Sequence, residues 1–141
     1  MRVWRLARAV HAILNGEGAR MFGGRWNSPG RPMVYCAGTA ALAVLEVRVH
    51  LDLPLDLLPN DYRLFGIDTG TAEIKDAPAD SLADPRNYGD AWLASGRTAL
   101  LRLPSVIVPE ETNVLINPLH PQAQQIQVVS ERGFGFDPRL F

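Results

Sequence analysis

The sequence predicts one α+β domain. Short apolar runs of strand length recur between proline and glycine turns. Apolar residues at helical spacing occupy only two or three stretches. The strands are not regularly separated by helices, which argues against a doubly wound sheet. A chain of 141 residues is long enough for one compact domain with a real core.

Val3 to Ala7 reads as the first strand, with Val3, Arg5 and Ala7 on one face and Trp4 and Leu6 on the other. Arg8 to Leu14 fits a helical turn that Asn15-Gly16 would stop. The segment from Gly16 to Gly30 also carries Gly18, Gly23 and Gly24, and it predicts an ordered loop rather than a helix or central strand. Trp26 would anchor that loop on the core. Met33 to Ala37 has strand character, with Met33, Tyr35 and Ala37 on one face and Val34 and Cys36 on the other. Thr39 is the expected N-cap of a helix running to about Leu51. Leu42, Leu45 and Val49 form one stripe of it; Leu42, Glu46 and His50 form a neighbouring one.

Asp52 to Asp61 is loop-like, with Pro54 and Pro59. Tyr62 to Asp68 alternates as a strand and turns at Thr69-Gly70. Ala72 to Pro85 predicts an irregular acidic surface with one helical turn. Tyr88 to Leu93 is helical, closed by Gly96. Ala99 to Leu103, Val106 to Val108, Asn113 to Asn117 and Ile126 to Val129 read as strands, and Gly133 to Phe141 as a terminal edge strand. The total is six or seven strands and two or three helices.

Composition narrows the function. The formal net charge of −1, with no basic stripe interleaved with aromatics, argues against nucleic-acid binding. Lys75 is the only lysine, so nearly all cations are arginines, which suit phosphate. Cys36 is the only cysteine, and no internal disulfide can form. The N-terminal residues lack the apolar run of a signal peptide, and no stretch approaches the ~20 apolar residues of a membrane span. A reducing cytoplasm is the expected compartment. His11, His50 and His120 have no metal-ligand spacing, so no metal is expected.

The stretch from Gly23 to His50 brings chemistry-bearing residues together across a loop, a strand and a helix. Arg25, after two glycines, reads either as a bidentate ligand for phosphate or carboxylate or as a structural ion pair. Tyr35 reads as a core tyrosine or as a ring that stacks on a flat heterocycle. Glu46 interrupts an apolar helical run, so it must snorkel to solvent, pair with a cation, with Arg48 or a loop arginine as partner, or line a cavity. Ser105 has no triad partners and reads as a hydrogen-bonding group. The amides of Asn113 and Asn117 would tie backbone together.

Arg25, Tyr35, Glu46 and Ser105, in that order, resemble the RES domain family. The likeness extends from Gly-Glu-Gly-Ala-Arg-Met-Phe-Gly-Gly-Arg-Trp-Asn, ending at Asn27, through Val34-Tyr35, Ala41-Leu42-Ala43, Leu45-Glu46 and His50. It resumes at Pro104-Ser105, Pro109, Asn113, Asn117-Pro118 and His120-Pro121. Asp52 to Arg97 carries little of it. The resemblance implies a RES domain over residues 1–141 with short-stranded sheets like those of ADP-ribosyltransferases. It implies a toxin neutralised by an Xre-type antitoxin that covers the cleft. The implied activity breaks the nicotinamide–ribose bond of NAD, by hydrolysis or phosphorolysis, with NAD as substrate and no separate cofactor. Arg25, Tyr35, Glu46 and Ser105 would be catalytic; Arg5, Gly23, Gly24, Asn27 and Asn113 would bind substrate, and inorganic phosphate is a possible acceptor. Transfer of ADP-ribose to a protein, and a non-catalytic or nucleic-acid-directed toxin, are the competing readings.

Overall fold

A computed structural model describes residues 1–141. One mixed sheet of seven strands runs in the order β4-β5-β6-β2-β1-β3-β7. The strands are β1 (Arg2–Arg8), β2 (Val34–Ala37), β3 (Tyr62–Asp68), β4 (Ile74–Asp76), β5 (Leu100–Pro104), β6 (Thr112–Ile116) and β7 (Gln127–Gly133). Only β4 and β5 pair in parallel. The helices are α1 (Glu17–Phe22), α2 (Ala40–Arg48) and α3 (Pro85–Ser95). No helix is long and apolar enough to cross a membrane.

Alternation along the strands divides the core as the sequence predicts. Val3, Val34, Cys36, Phe65, Ile67, Leu100, Val114 and Ile116 fill one face. On the other face Leu101, Leu103 and Leu115 pack with Trp26, Met33 and Trp92, which fastens α3 and the glycine loop. Ala37 packs with Leu42 and Ala43 of α2 on that same face, beside Trp4.

The sheet has a seam. β1 pairs with β3 along its whole length, and β2 pairs with β6 throughout. Between β1 and β2 the ladder consists of one pair, Trp4↔Ala37. Beyond it the strands diverge, and Leu6 and Tyr35, which a continued ladder would make partners, do not pair. Helix α2 packs on both β1 and β2 and so straddles the seam.

The structure corrects four expectations. Glu17–Phe22 is helical inside the glycine-rich segment. Gly16 and Gly23 bracket it with φ of 68° and 72°, so the left-handed positions fall at its ends and only Gly18 lies within. Ile74–Asp76 is a strand inside the acidic stretch, too short and polar to show alternation. Val106 to Val108 is a bend, not a strand. The Ser105 hydroxyl accepts the N–H groups of Ile107 and Val108, both at 3.1 Å, and so takes donors a ladder would need. Finally, Gly133 to Phe141 does not continue as an edge strand. Phe136 makes edge-to-face contacts with Tyr62, Phe134 and Phe141 instead. The tail ends in a short 3₁₀ turn, Pro138–Leu140.

Helix boundaries follow their caps. The Thr39 hydroxyl accepts from the Leu42 N–H at 3.1 Å, as expected, but α2 ends at Arg48, short of Leu51. For α3, Asp84 accepts from the Asn87 N–H, Pro85 opens the first turn, and Gly96 closes the helix at φ 61°.

Candidate functional site

A cavity of about 640 Å³ opens where β1 and β2 diverge. That volume lies within the range of sites for small molecules and cofactors. Its wall takes Arg5 and Cys36 from one face of the sheet and Leu6 and Tyr35 from the other. Arg25 and Glu46 both line it, so loop, strand and helix do converge on one hollow.

Glu46 is placed by two neutral donors and no cation. Its Oε1 accepts the Ser105 hydroxyl and the Asn113 Nδ2, each at 2.8 Å. Its Oε2 has no protein hydrogen bond, and no arginine lies in ion-pair range. The predicted pair with Arg48 or a loop arginine is therefore absent. Arg48 turns away instead: its Nε donates to the Leu140 carbonyl at 2.6 Å and its guanidinium sits 3.9 Å above the Phe141 ring. A carboxylate with one oxygen fixed and the other unpartnered in a largely apolar wall is set up to meet positive charge.

Ser105, expected among the catalytic residues, lies behind Glu46 and not in the cavity wall. It is buried, donates its one hydroxyl proton to Glu46, and accepts two backbone N–H groups. It is not among the cavity-lining residues. Its one donor and both acceptor positions are filled by protein groups, and its bond to Glu46 orients that carboxylate. Asn113 lines the cavity but commits one amide N–H to Glu46.

Tyr35 clamps the glycine loop. Its hydroxyl accepts the Trp26 N–H at 3.0 Å and donates to Asn27 Oδ1 at 2.6 Å. Burial pushes the phenol up to about 12, so it remains a donor throughout the physiological range. Only its ring is available to a ligand. Tyr35→Phe would leave the Trp26 N–H and the Asn27 side-chain Oδ1 without this partner. It should cost about 1–3 kcal/mol, read as a lowered denaturant midpoint at unchanged m-value.

Asn27 was expected to bind substrate, but the structure places it outside the cavity wall. It is fully buried, and its Nδ2 donates to the Ala19 and Arg31 carbonyls, both at 2.9 Å. Gly23 and Gly24 line the cavity, but their N–H groups are already bonded. The Gly23 N–H donates to the Ala19 carbonyl at 2.8 Å and the Gly24 N–H to the Asn27 carbonyl at 3.0 Å, so neither is a free donor for phosphate. They serve conformation and close approach: a Cβ on Gly24 would lie 2.5 Å from the Tyr35 hydroxyl. Arg25 itself is exposed and makes no side-chain hydrogen bond or ion pair, which leaves its full fork of donors open.

Arg5 projects to the opposite face of the sheet from the α2 side. It donates to the His11 carbonyl at 2.5 Å and has no carboxylate partner. Burial lowers its pKa from the ordinary arginine value, the sign of a guanidinium lacking solvent and counter-ion. Next to it, burial pushes the Cys36 thiol up to about 12, so it is a packing group rather than a nucleophile.

Sequence reasoning missed one group of residues. Arg86, Gly89 and Asp90, on one face of α3, contact the glycine loop at Gly24, Trp26 and Ser28. The Arg86–Asp90 spacing is the only sequence signal, and it does not name the loop as the target.

The family model described as "RES domain" matches residues 2–137. A "Prs ADP-ribosylating toxin" of Sphingobium sp. (strain YBL2) is 41% identical, covering 97% of this chain and 94% of that protein. A "Toxin Res" of Pseudomonas putida is 37% identical with full coverage of both. The "NAD(+) phosphorylase MbcT" of Mycobacterium tuberculosis is 34% identical over 121 residues, covering 75% of this chain and 65% of that protein. In the crystal structure of the M. tuberculosis MbcT–MbcA toxin–antitoxin complex, one chain superposes with a TM-score of 0.76 at 21% identity. The match covers 99% of this chain and 85% of that one.

Proposed function

The chain belongs to the RES domain family, and from that premise we propose that it is a toxin that cleaves the nicotinamide–ribose bond of NAD. The observation that carries this reading is Glu46, half-fixed by Ser105 and Asn113 in the wall of a cavity of dinucleotide size.

In the reaction the bond between ribose C1′ and the nicotinamide nitrogen breaks. Its electron pair leaves with nicotinamide, which departs neutral, so no strong general acid is needed. Positive charge develops on the ribose, and the Glu46 carboxylate stabilises it or holds a ribose hydroxyl. Arg25 supplies open donors for the pyrophosphate. Arg5 offers a second cation to a phosphate group from the other face of the seam. The Tyr35 ring packs on the nicotinamide or its ribose. Ser105 acts through Glu46. An oxygen of phosphate or water then bonds to C1′. NAD is the substrate, and no separate cofactor enters. The RES-family relatives named as toxins, and the toxin–antitoxin complex that shares the fold, support a partner antitoxin. We assign it to the Xre type, and the protein to the cytoplasm where NAD is abundant.

Purified protein should release nicotinamide from NAD. Running the reaction with and without phosphate, and separating ADP-ribose from its 1-phosphate, identifies the acceptor. No nicotinamide under either condition would overturn the proposal. The name of the Sphingobium relative favours a second reading, transfer of ADP-ribose to a protein. Labelled bands in a lysate given labelled NAD, in place of free ADP-ribose or its phosphate, would establish that reading.

A further inference from the structure

We propose that α3 is the platform that positions Arg25, with Asp90 and Arg86 as positioning residues for the NAD reaction. This rests on the reading of Arg25 as the pyrophosphate ligand.

Arg25 makes no side-chain bond of its own, so the adjoining backbone alone sets where its side chain emerges and what its guanidinium can reach. That backbone is held by Tyr35 from the sheet and by α3 from the other side. Asp90 Oδ1 accepts the Ser28 N–H at 2.8 Å, and Oδ2 accepts the Ser28 hydroxyl at 2.5 Å. Arg86 Nη2 donates to the Gly24 carbonyl at 3.2 Å. Gly89 lies against the Trp26 carbonyl, where an added Cβ would overlap the oxygen. The three α3 residues share one helix face, at spacings of three and four. They touch the residue before Arg25, the residue after it, and Ser28 beyond.

Helix α3 does not depend on these contacts for its own place. Trp92 is buried in the core and its Nε1 donates to Thr98 Oγ1 at 3.0 Å. Asp84 and Gly96 cap the ends. The bonds to the loop can therefore be cut while the helix stays docked. A displacement of about 1 Å in a binding group can cost about 100-fold in rate, so bonds of this kind reach the chemistry without touching substrate.

The test compares Asp90→Ala, Asp90→Asn and Arg86→Ala with the wild type. Nicotinamide release gives KM and kcat; hydrogen exchange follows the Trp26 and Ser28 amides in the ligand-free protein. Asp90→Ala should lower kcat/KM about 10- to 100-fold, with KM for NAD rising at least as much as kcat falls. The loop amides should exchange at least 10-fold faster. Asp90→Asn keeps an acceptor for the Ser28 N–H and should restore most of both. Arg86 is exposed, so Arg86→Ala provides a folded variant even if Asp90→Ala does not fold. Folded variants with wild-type kinetics overturn the proposal, whether or not the amides exchange faster. Wild-type protein that releases no nicotinamide overturns the functional reading instead. In that case, unchanged exchange in the variants overturns the platform independently.

Discussion

Glu46→Gln should lower kcat for nicotinamide release about 100- to 1,000-fold while the melting temperature stays at its wild-type value. The amide oxygen of glutamine can still accept from Ser105 and Asn113, which both approach Oε1 as donors. Shape and bonding are kept, and only the negative charge is removed. The expected loss is the scale found when one group that stabilises transition-state charge is deleted. Because Glu46 is assigned to the developing ribose cation, kcat should fall with little change in KM. The Arg25 platform variants are expected to behave the opposite way, chiefly through KM. Near-normal turnover by a folded Glu46→Gln protein would remove Glu46 from the chemistry.

Gly89→Ala should destabilise the domain by about 2–3 kcal/mol, read as a lowered denaturant midpoint. Helix propensity alone would favour alanine there by up to about 1 kcal/mol. The added methyl meets the Trp26 carbonyl, however, and a backbone group cannot swing aside as a flexible side chain can. Helix and loop must part. Trp26 would then shift against Trp92 and Leu101, with which it packs in the buried core. A stabilised Gly89→Ala protein would show that loop and helix separate readily, against the close packing described above.

The central sheet was largely legible in the sequence because alternation is a local property. The faces of β1 and β2 could be read from residue type alone, and Thr39 marked the start of α2 by its own chemistry. Glu46 stood out because a carboxylate in an apolar helical run demands a reason. Its partners were not legible. Ser105 and Asn113 lie 59 and 67 residues further along the chain, and only the tertiary arrangement brings them to one oxygen. The readings of Asn27 as a ligand and of the Gly23 and Gly24 N–H groups as phosphate donors meet a related obstacle. A residue type states which bonds it can make, not which of them the fold has already filled. Val106 to Val108 shows this for backbone: three β-branched residues favour a strand, yet the Ser105 hydroxyl captures two of their N–H groups first. The role of Asp90 was hidden because Ser28, its partner, is 62 residues away.

A sheet whose ladder crosses its middle at the single pair Trp4 and Ala37, with α2 packed over the gap, also has a fault line. Of all the ladders in the sheet this one has the fewest pairs to lose under load. A molecule lodged in the gap would act as a splint, resisting both opening and closing of the halves. Occupancy should thus be legible far from the cavity, as stiffening of strands that never touch the guest.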